Sequence, residues 1–205
     1  MHALLMSRLS SAFIVEAPAY AVWEVVGRGF HRIGEWATAI PASTAIPAST
    51  AIPAPAGPRS DRSAATQVRH APAILAAPVA GRVCQLGVRL LAQVEETLVA
   101  YDNANRTLTY EAGGMPAFVT TARNTWTVVP LDRRRTLVRI DAQFDTRGVL
   151  GHLGRWAIFA LVGRTTRYLA DDLRHFVEHG TPSPRKLQQL LRRTRRRSSE
   201  RPVGG

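Results

Sequence analysis

Alternating hydrophobic and polar positions mark the middle of the chain. Between residues 135 and 146, every second side chain is apolar or a threonine: Thr136, Val138, Ile140, Ala142, Phe144 and Thr146. The positions between them are polar or charged, apart from Leu137. A period of two with one apolar face is typical of a half-buried antiparallel strand. Residues 118–129 alternate less cleanly, so the pattern predicts two neighbouring strands.

A long helix is predicted directly after these strands, over residues 149–179. Apolar or small residues recur there at spacings of three or four: Leu150, Gly154, Ile158, Leu161, Thr165, Leu169, Leu173 and Phe176. Charged residues lie on the opposite side, and Gly180, Pro182 and Pro184 would end the helix. At 1.5 Å per residue the helix would be roughly 45 Å long, enough to cross a whole sheet.

The other predicted elements complete an α+β domain. Residues 10–16 predict a first strand, followed by two short helices that end near Trp36. Turn-rich segments separate three further strands, at 81–86, 88–101 and 106–112. The long helix therefore follows a run of five strands. A long helix laid across a curved antiparallel sheet encloses a cavity, which favours the binding of an apolar molecule.

Low-complexity sequence interrupts this order. Residues 39–44 read AIPAST, residues 45–50 repeat the motif, and a third copy begins at residue 51. A Pro/Ala tract favours extended conformations that bury no core. We therefore expect residues 38–80 to be a disordered insertion within one domain of residues 8–180. The residues before the insertion are too few to fold alone.

The net charge of +12 is unevenly distributed. Eight basic residues and one acidic residue lie between positions 185 and 205. We expect residues 181–205 to form a disordered basic tail. One alternative function follows from this charge, since Arg192, Arg193, Arg195, Arg196 and Arg197 could bind nucleic acid or an anionic membrane through phosphate contacts. No aromatic residue lies among them to stack on bases.

Cys84 is the only cysteine, which excludes an internal disulfide and fits a reducing compartment. Its place beside Val83 and Leu86 in a predicted strand favours a buried structural thiol over a nucleophile. No apolar run approaches the ~20 residues of a membrane span, and no signal peptide is recognised. The expected location is the cytoplasm.

Candidate chemistry is sparse. No nucleophile is paired with a base and no cluster has metal-ligand spacing, so neither a metal nor another cofactor is expected. Glu96 follows Val94 on the apolar face of its strand. If it points inward, its carboxylate could act as a proton shuttle in ring closure or dehydration. The alternative is that Glu96 reaches solvent or pairs with an arginine.

The predicted inner faces supply candidate ligand contacts. They are Trp36, Tyr110, Phe118, Asn124, Trp126, Phe144 and Ile158. Trp126 could support a flat ring, the Tyr110 hydroxyl could meet a ligand oxygen, and a buried Asn124 amide needs a polar partner. Trp36 would lie near the cavity mouth. For Tyr110 and Trp126 the competing interpretation is plain core packing, and for Trp36 it is anchoring of the loop rather than control of entry.

Several spaced segments carry a family resemblance: FIVEAPAYAVWEVV, GEW, VEETLVAYD, LTYEAGG, NTWTVVPLDRRRTLVRI and LADDLRHFVE. In this order they resemble the SRPBCC (START-like) superfamily, and within it the polyketide cyclase/dehydrase and lipid-transport group. The resemblance implies a helix-grip fold, in which a curved sheet wraps the C-terminal helix and two short helices close one end. It also implies a hydrophobic ligand such as a polyketide, lipid or quinone, held by a carrier or a cyclase/dehydratase-like enzyme.

Overall fold

Seven strands build one antiparallel sheet. The computed structural model of the protein describes residues 5–48, 77–88, 91–146 and 148–199. The strands are β1 (Leu5–Val15), β2 (Ala42–Ile46), β3 (Gly81–Val88), β4 (Leu91–Asp102), β5 (Thr107–Gly113), β6 (Val119–Pro130) and β7 (Thr136–Thr146). Their order in the sheet is β1-β7-β6-β5-β4-β3-β2, so the first strand pairs with the last.

Helices follow the first strand and the last one. Two short α-helices, α1 (Ala19–Trp23) and α2 (Ile33–Trp36), are joined by a π-helical turn and a 3-10 turn. The long helix is α3 (Gly148–His179), and a further helix, α4 (Pro184–Ser199), follows it. The predicted helix-grip architecture is confirmed: a curved sheet, two short helices after the first strand and a long C-terminal helix. Within the described residues, none of these helices combines the length and apolar character needed to cross a membrane.

The alternation predicted for residues 135–146 is confirmed in β7. Its six apolar or threonine positions are all buried, and none of the side chains between them is. Val138 and Ile140 face a core formed with the short helices and the second half of α3, where Val15, Val22 and Leu173 are fully buried. Ala142 and Phe144 instead belong to a smaller apolar cluster. The end of α3 is fixed to β1, because Arg174 Nε donates to the Ile14 carbonyl at 2.8 Å.

The predicted disorder of residues 38–80 is wrong at both ends of the segment. At its end, Val79 is buried in the core and the Ala80 amide donates to the Ile46 carbonyl at 2.9 Å. At its beginning, β2 is formed by the last three residues of the first repeat copy and the first two of the second, and it pairs antiparallel with β3 at the edge of the sheet. Pro41 and Pro47 lie just outside the strand, so β2 keeps all of its backbone donors. Ser43 fixes it to the short helices: its hydroxyl donates to the His31 carbonyl at 2.6 Å and accepts from the Gly34 amide at 2.9 Å. Residues 49–76 lie outside the described residues.

The predicted disorder of residues 181–205 is also wrong for much of the segment. Gly180 ends α3 as expected, with a positive φ of 71°. Pro184, expected to prevent further helix, instead begins α4, since proline needs no amide donor at the first helical position. The helix is docked on the protein through Lys186, which is fully buried.

Candidate ligand cavity

A cavity of about 210 Å³ lies between the concave face of the sheet and α3. Its wall is mainly apolar, with contributions from α2, the segment after it, five strands and α3. The apolar lining residues include Ile33, Ala39, Ile40, Leu86, Val94, Ala112, Met115, Ala122, Ile140, Phe144 and Leu169. An apolar cavity of about 150 Å³ is large enough to bind benzene. The cavity here therefore suits a molecule of one or two rings.

Five of the predicted site residues line this cavity: Glu96, Tyr110, Asn124, Trp126 and Phe144. Trp36 instead lies in the core, 2 % exposed, beside Phe30 and Ile33 rather than at an entrance. Phe118 packs beside Val119 in a second, smaller apolar cluster. The side chain of Ile158 is outside the described residues. Thr165, on the predicted apolar side of the long helix, also lines the wall.

Glu96 is paired with a buried arginine, Arg82, that is not among the site residues predicted from the sequence. Arg82 Nε donates to Glu96 Oε2 at 2.5 Å, and Arg82 Nη1 donates to the Phe30 carbonyl at 2.5 Å. Both charged residues are buried. Of the alternatives open for Glu96, the structure therefore selects an arginine partner, although the residue still forms part of the cavity wall.

The arginine is also held by aromatic rings. Its guanidinium carbon lies 3.8 Å from the centroid of the Phe30 ring and 5.3 Å from that of Tyr110. Burial alone would lower the pKa of Arg82, but the charge of Glu96, the nearby Cys84 and Tyr110 and the hydrogen bond to Glu96 together outweigh it, and the pKa is raised. Arg82 is therefore a permanent cation behind the cavity wall.

The neighbouring thiol and phenol both keep their protons. Burial, reinforced by the charge of Glu96, raises the pKa of the Cys84 thiol to about 12. Its Sγ donates to Glu96 Oε2 at 3.6 Å. Burial and the same charge raise the pKa of Tyr110. Cys84 is thus a structural thiol rather than a nucleophile, and Tyr110 presents a neutral hydroxyl.

Asn124 supplies a polar group without a protein partner. Its Oδ1 is buried and has no hydrogen bond within the described part of the chain. Buried polar atoms in folded proteins are nearly always paired, so an orphan in a cavity wall indicates a place for a ligand donor or a bound water. Trp126, two positions along β6, places its ring in the same wall.

The tail helix holds one side of the cavity in place. Lys186 Nζ donates to the carbonyls of Ala37 and Ile40, at 3.0 and 2.9 Å, and Ile40 lines the cavity. Nearby, the buried Asp172 carboxylate accepts from the Thr38 amide at 2.7 Å. Burial, followed by the positive charge of Arg193, lowers the pKa of Lys186 to about 8.

The sequence contained one signal that pointed to Arg82. Arg82 and Glu96 are direct cross-strand partners in the β3–β4 register, so their side chains lie on the same face. Aligning the two predicted strands as a hairpin would have found the pair. No comparable signal marks Lys186, because its carbonyl partners lie about 150 positions earlier.

Among the described residues, no group of acidic, histidine or cysteine side chains could hold a metal ion.

Solved structures of similar fold have diverse activities. The chain is similar to the Zhui aromatase/cyclase from Streptomyces sp. R1128, at 16 % identity and a TM-score of 0.59 over 85 % of this chain and 94 % of that one. It is also similar to a START superfamily protein from Mycobacterium smegmatis, at 15 % identity and a TM-score of 0.57 over 88 % and 100 %. A third is norcoclaurine synthase from Thalictrum flavum, at 14 % identity and a TM-score of 0.58 over 87 % and 99 %.

These structural similarities establish the fold, and the match to a family model establishes the family. A comparison with curated proteins found no significant match. The family model described as polyketide cyclase / dehydrase and lipid transport matches residues 6–179. This range contains α3 and all seven strands, apart from the first residue of β1. The chain therefore belongs to the polyketide cyclase/dehydrase and lipid-transport family.

Proposed function

We propose that the protein binds a hydrophobic small molecule of one or two rings that carries a hydroxyl or similar donor. The observation that carries this proposal is the buried, unpartnered Asn124 Oδ1 in a mainly apolar wall. An apolar ring would gain from leaving water, and a donor on it would satisfy the orphan oxygen. Membership of a family that includes lipid-transport proteins supports a hydrophobic ligand.

A binding role is favoured over catalysis by the state of Glu96. Its Oε2 already accepts from Arg82 and Cys84, and Arg82 is itself fixed on the Phe30 carbonyl. A carboxylate held in this way is a structural ion-pair partner more than a mobile proton carrier. We therefore infer a carrier or sequestering protein as the first function.

A cyclase/dehydratase-like reaction is the second candidate, because Glu96 and the neutral Tyr110 hydroxyl line the same wall. The Glu96→Gln variant, whose amide oxygen can still accept from Arg82, separates the two functions. We expect its affinity for ligand to stay within about threefold of wild type, since the cavity shape is kept. If Glu96 shuttles protons, cyclisation of a poly-β-ketone substrate analogue, followed by chromatography, would disappear. Undiminished turnover would remove Glu96 from the chemistry.

Filling the cavity tests the proposed site directly. Ala122 lines the wall and is 6 % exposed, so Ala122→Leu places three more carbon atoms in the space for ligand. We expect the affinity for 2-naphthol, measured by fluorescence titration, to fall at least tenfold because the ring loses its volume. Wild type should also bind 2-naphthol more tightly than naphthalene, since only the former can donate to Asn124.

The matched control is Ala100→Leu, the same substitution at an exposed position of β4. It should bind 2-naphthol like wild type. Melting curves of both variants would show whether they are folded. Wild-type affinity in a folded Ala122→Leu protein would mean that the ring binds somewhere else.

A further inference from the structure

The docked helix α4 presents an outer face with no partner in the described protein. Its inner face carries Lys186, Gln189 and Arg193, at spacings of three and four, and all three bond to the segment after α2. Residues on the opposite side of the same helix point to solvent. There Leu187 is 44 % exposed and Leu191 is 61 % exposed, one turn apart.

Arginines flank the two leucines. Arg192 and Arg195 are exposed, and neither has an ion-pair partner within the described residues. No acidic residue occurs between 184 and 199. Arg185 contributes less to the free charge, since it pairs with Asp172 at 3.3 Å. The outer face is therefore cationic with an apolar strip.

Arg193 does not belong to this face. It is one of the tail arginines predicted from the sequence to contact phosphates. In the structure its guanidinium donates instead to the Pro41 carbonyl and, at 3.4 Å, to Gln85 Oε1. This inward contact anchors α4 and fixes which of its sides faces outward. A polyanion would consequently meet a defined helix face rather than a flexible arginine run.

The exposed leucines distinguish between the possible polyanions. A nucleic acid would be held by phosphate contacts and base stacking, and α4 carries no aromatic side chain for stacking. Leucines four residues apart add nothing to phosphate contacts. They do bind a bilayer, because an amphipathic helix lying in the interface buries its apolar strip at the boundary between headgroups and acyl chains.

We propose that α4 docks the protein on an anionic lipid bilayer. Leu187 and Leu191 enter the headgroup boundary, and Arg192 and Arg195 contact lipid phosphates. The inner side of the same helix holds the backbone around Ile40, which lines the cavity. Docking through α4 therefore brings the cavity wall next to the lipid surface. This proposal stands on the geometry of α4 and is independent of what the cavity holds.

Vesicle co-sedimentation of the full chain tests it. We expect binding to phosphatidylcholine vesicles containing 30 % phosphatidylglycerol, at least tenfold above binding to phosphatidylcholine alone, and weakening as salt is raised. Leu187→Ser/Leu191→Ser and Arg192→Gln/Arg195→Gln should each reduce the affinity about tenfold or more. Both pairs are exposed, so circular dichroism should remain that of wild type.

The turn between β6 and β7 offers controls of the same chemistry. Leu131 is 47 % exposed and Arg133 and Arg134 are exposed, so Leu131→Ser makes one leucine-to-serine change, and Arg133→Gln/Arg134→Gln makes the same two arginine changes, away from α4. Both should keep wild-type vesicle binding. The proposal would be overturned by equal loss in these controls, by no preference for anionic vesicles, or by tighter binding to single-stranded RNA that the leucine substitutions leave unchanged.

Discussion

Replacing Arg82 with methionine is expected to lower the free energy of unfolding by about 3–5 kcal/mol, the usual cost of leaving a buried charge without its partner. Arg82 is 3 % exposed and Glu96 is 9 % exposed, so bulk water has little access to the remaining carboxylate. The Phe30 carbonyl would also lose a donor. Urea titration followed by circular dichroism measures the change.

Two comparisons show whether the buried charge is the cause. Arg82→Met/Glu96→Leu removes both charges and should recover at least 2 kcal/mol relative to the single variant. Arg123→Met breaks the Arg123–Glu111 ion pair on neighbouring strands, where the side chains are 48 % and 43 % exposed, and should cost less than about 1 kcal/mol. If Arg82→Met is as mild as Arg123→Met, the Arg82–Glu96 pair contributes little to the fold.

Lys186→Met is expected to destabilise the protein by an amount that grows with pH. At pH 7 the free energy of unfolding of the variant should be about 1–2 kcal/mol lower than that of wild type. The carbonyls of Ala37 and Ile40 lose a donor, but this loss is partly offset because no ammonium has to be buried. The pKa of Lys186 is lowered from its ordinary 10.5 to about 8. Between these values the unfolded chain holds the additional proton, so the contribution of Lys186 to stability rises with pH.

The gap between wild type and Lys186→Met should therefore widen by about 2 kcal/mol from pH 7.5 to pH 10. Urea unfolding of both proteins at each pH gives this difference, in which the ionisation of the tyrosines cancels. Arg192→Met, on the exposed side of the same helix, should differ from wild type by less than about 0.5 kcal/mol at every pH. A gap that is constant or shrinks with pH would show that the ammonium is not desolvated in the folded protein.

The elements that could be predicted from sequence are those whose burial pattern repeats over many residues. The alternation in β7 and the three- and four-residue spacing in α3 are each repeated several times along the element. Tertiary contacts therefore reinforce the local signal. β2 is different, because five residues of an edge strand need only free backbone donors and one neighbour. Its Pro/Ala composition indicated disorder, although Pro41 and Pro47 leave that short stretch free of proline.

The cavity could be predicted only as far as strand faces define it. Tyr110, Asn124 and Trp126 reach it because alternation assigns them to the inner side. Arg82 and Lys186 were not predicted to be buried, because charged residues are usually solvated. The burial of Arg82 follows only from its cross-strand pairing with Glu96, and that of Lys186 only from backbone carbonyls far away in the sequence. The placement of Trp36 could not be obtained from sequence, since the short helices that carry it have no long periodic pattern.

The origin of β2 in a repeated motif has a consequence for how this part of the gene can vary. The octamer IPASTAIP at residues 40–47 recurs in full at residues 46–53. Loss of one six-residue unit by replication slippage would leave the amino-acid sequence of the edge strand unchanged, including Ser43 and the prolines on either side. Changes in copy number would lengthen or shorten only the connection to β3, while the wall around Ile40 stays the same.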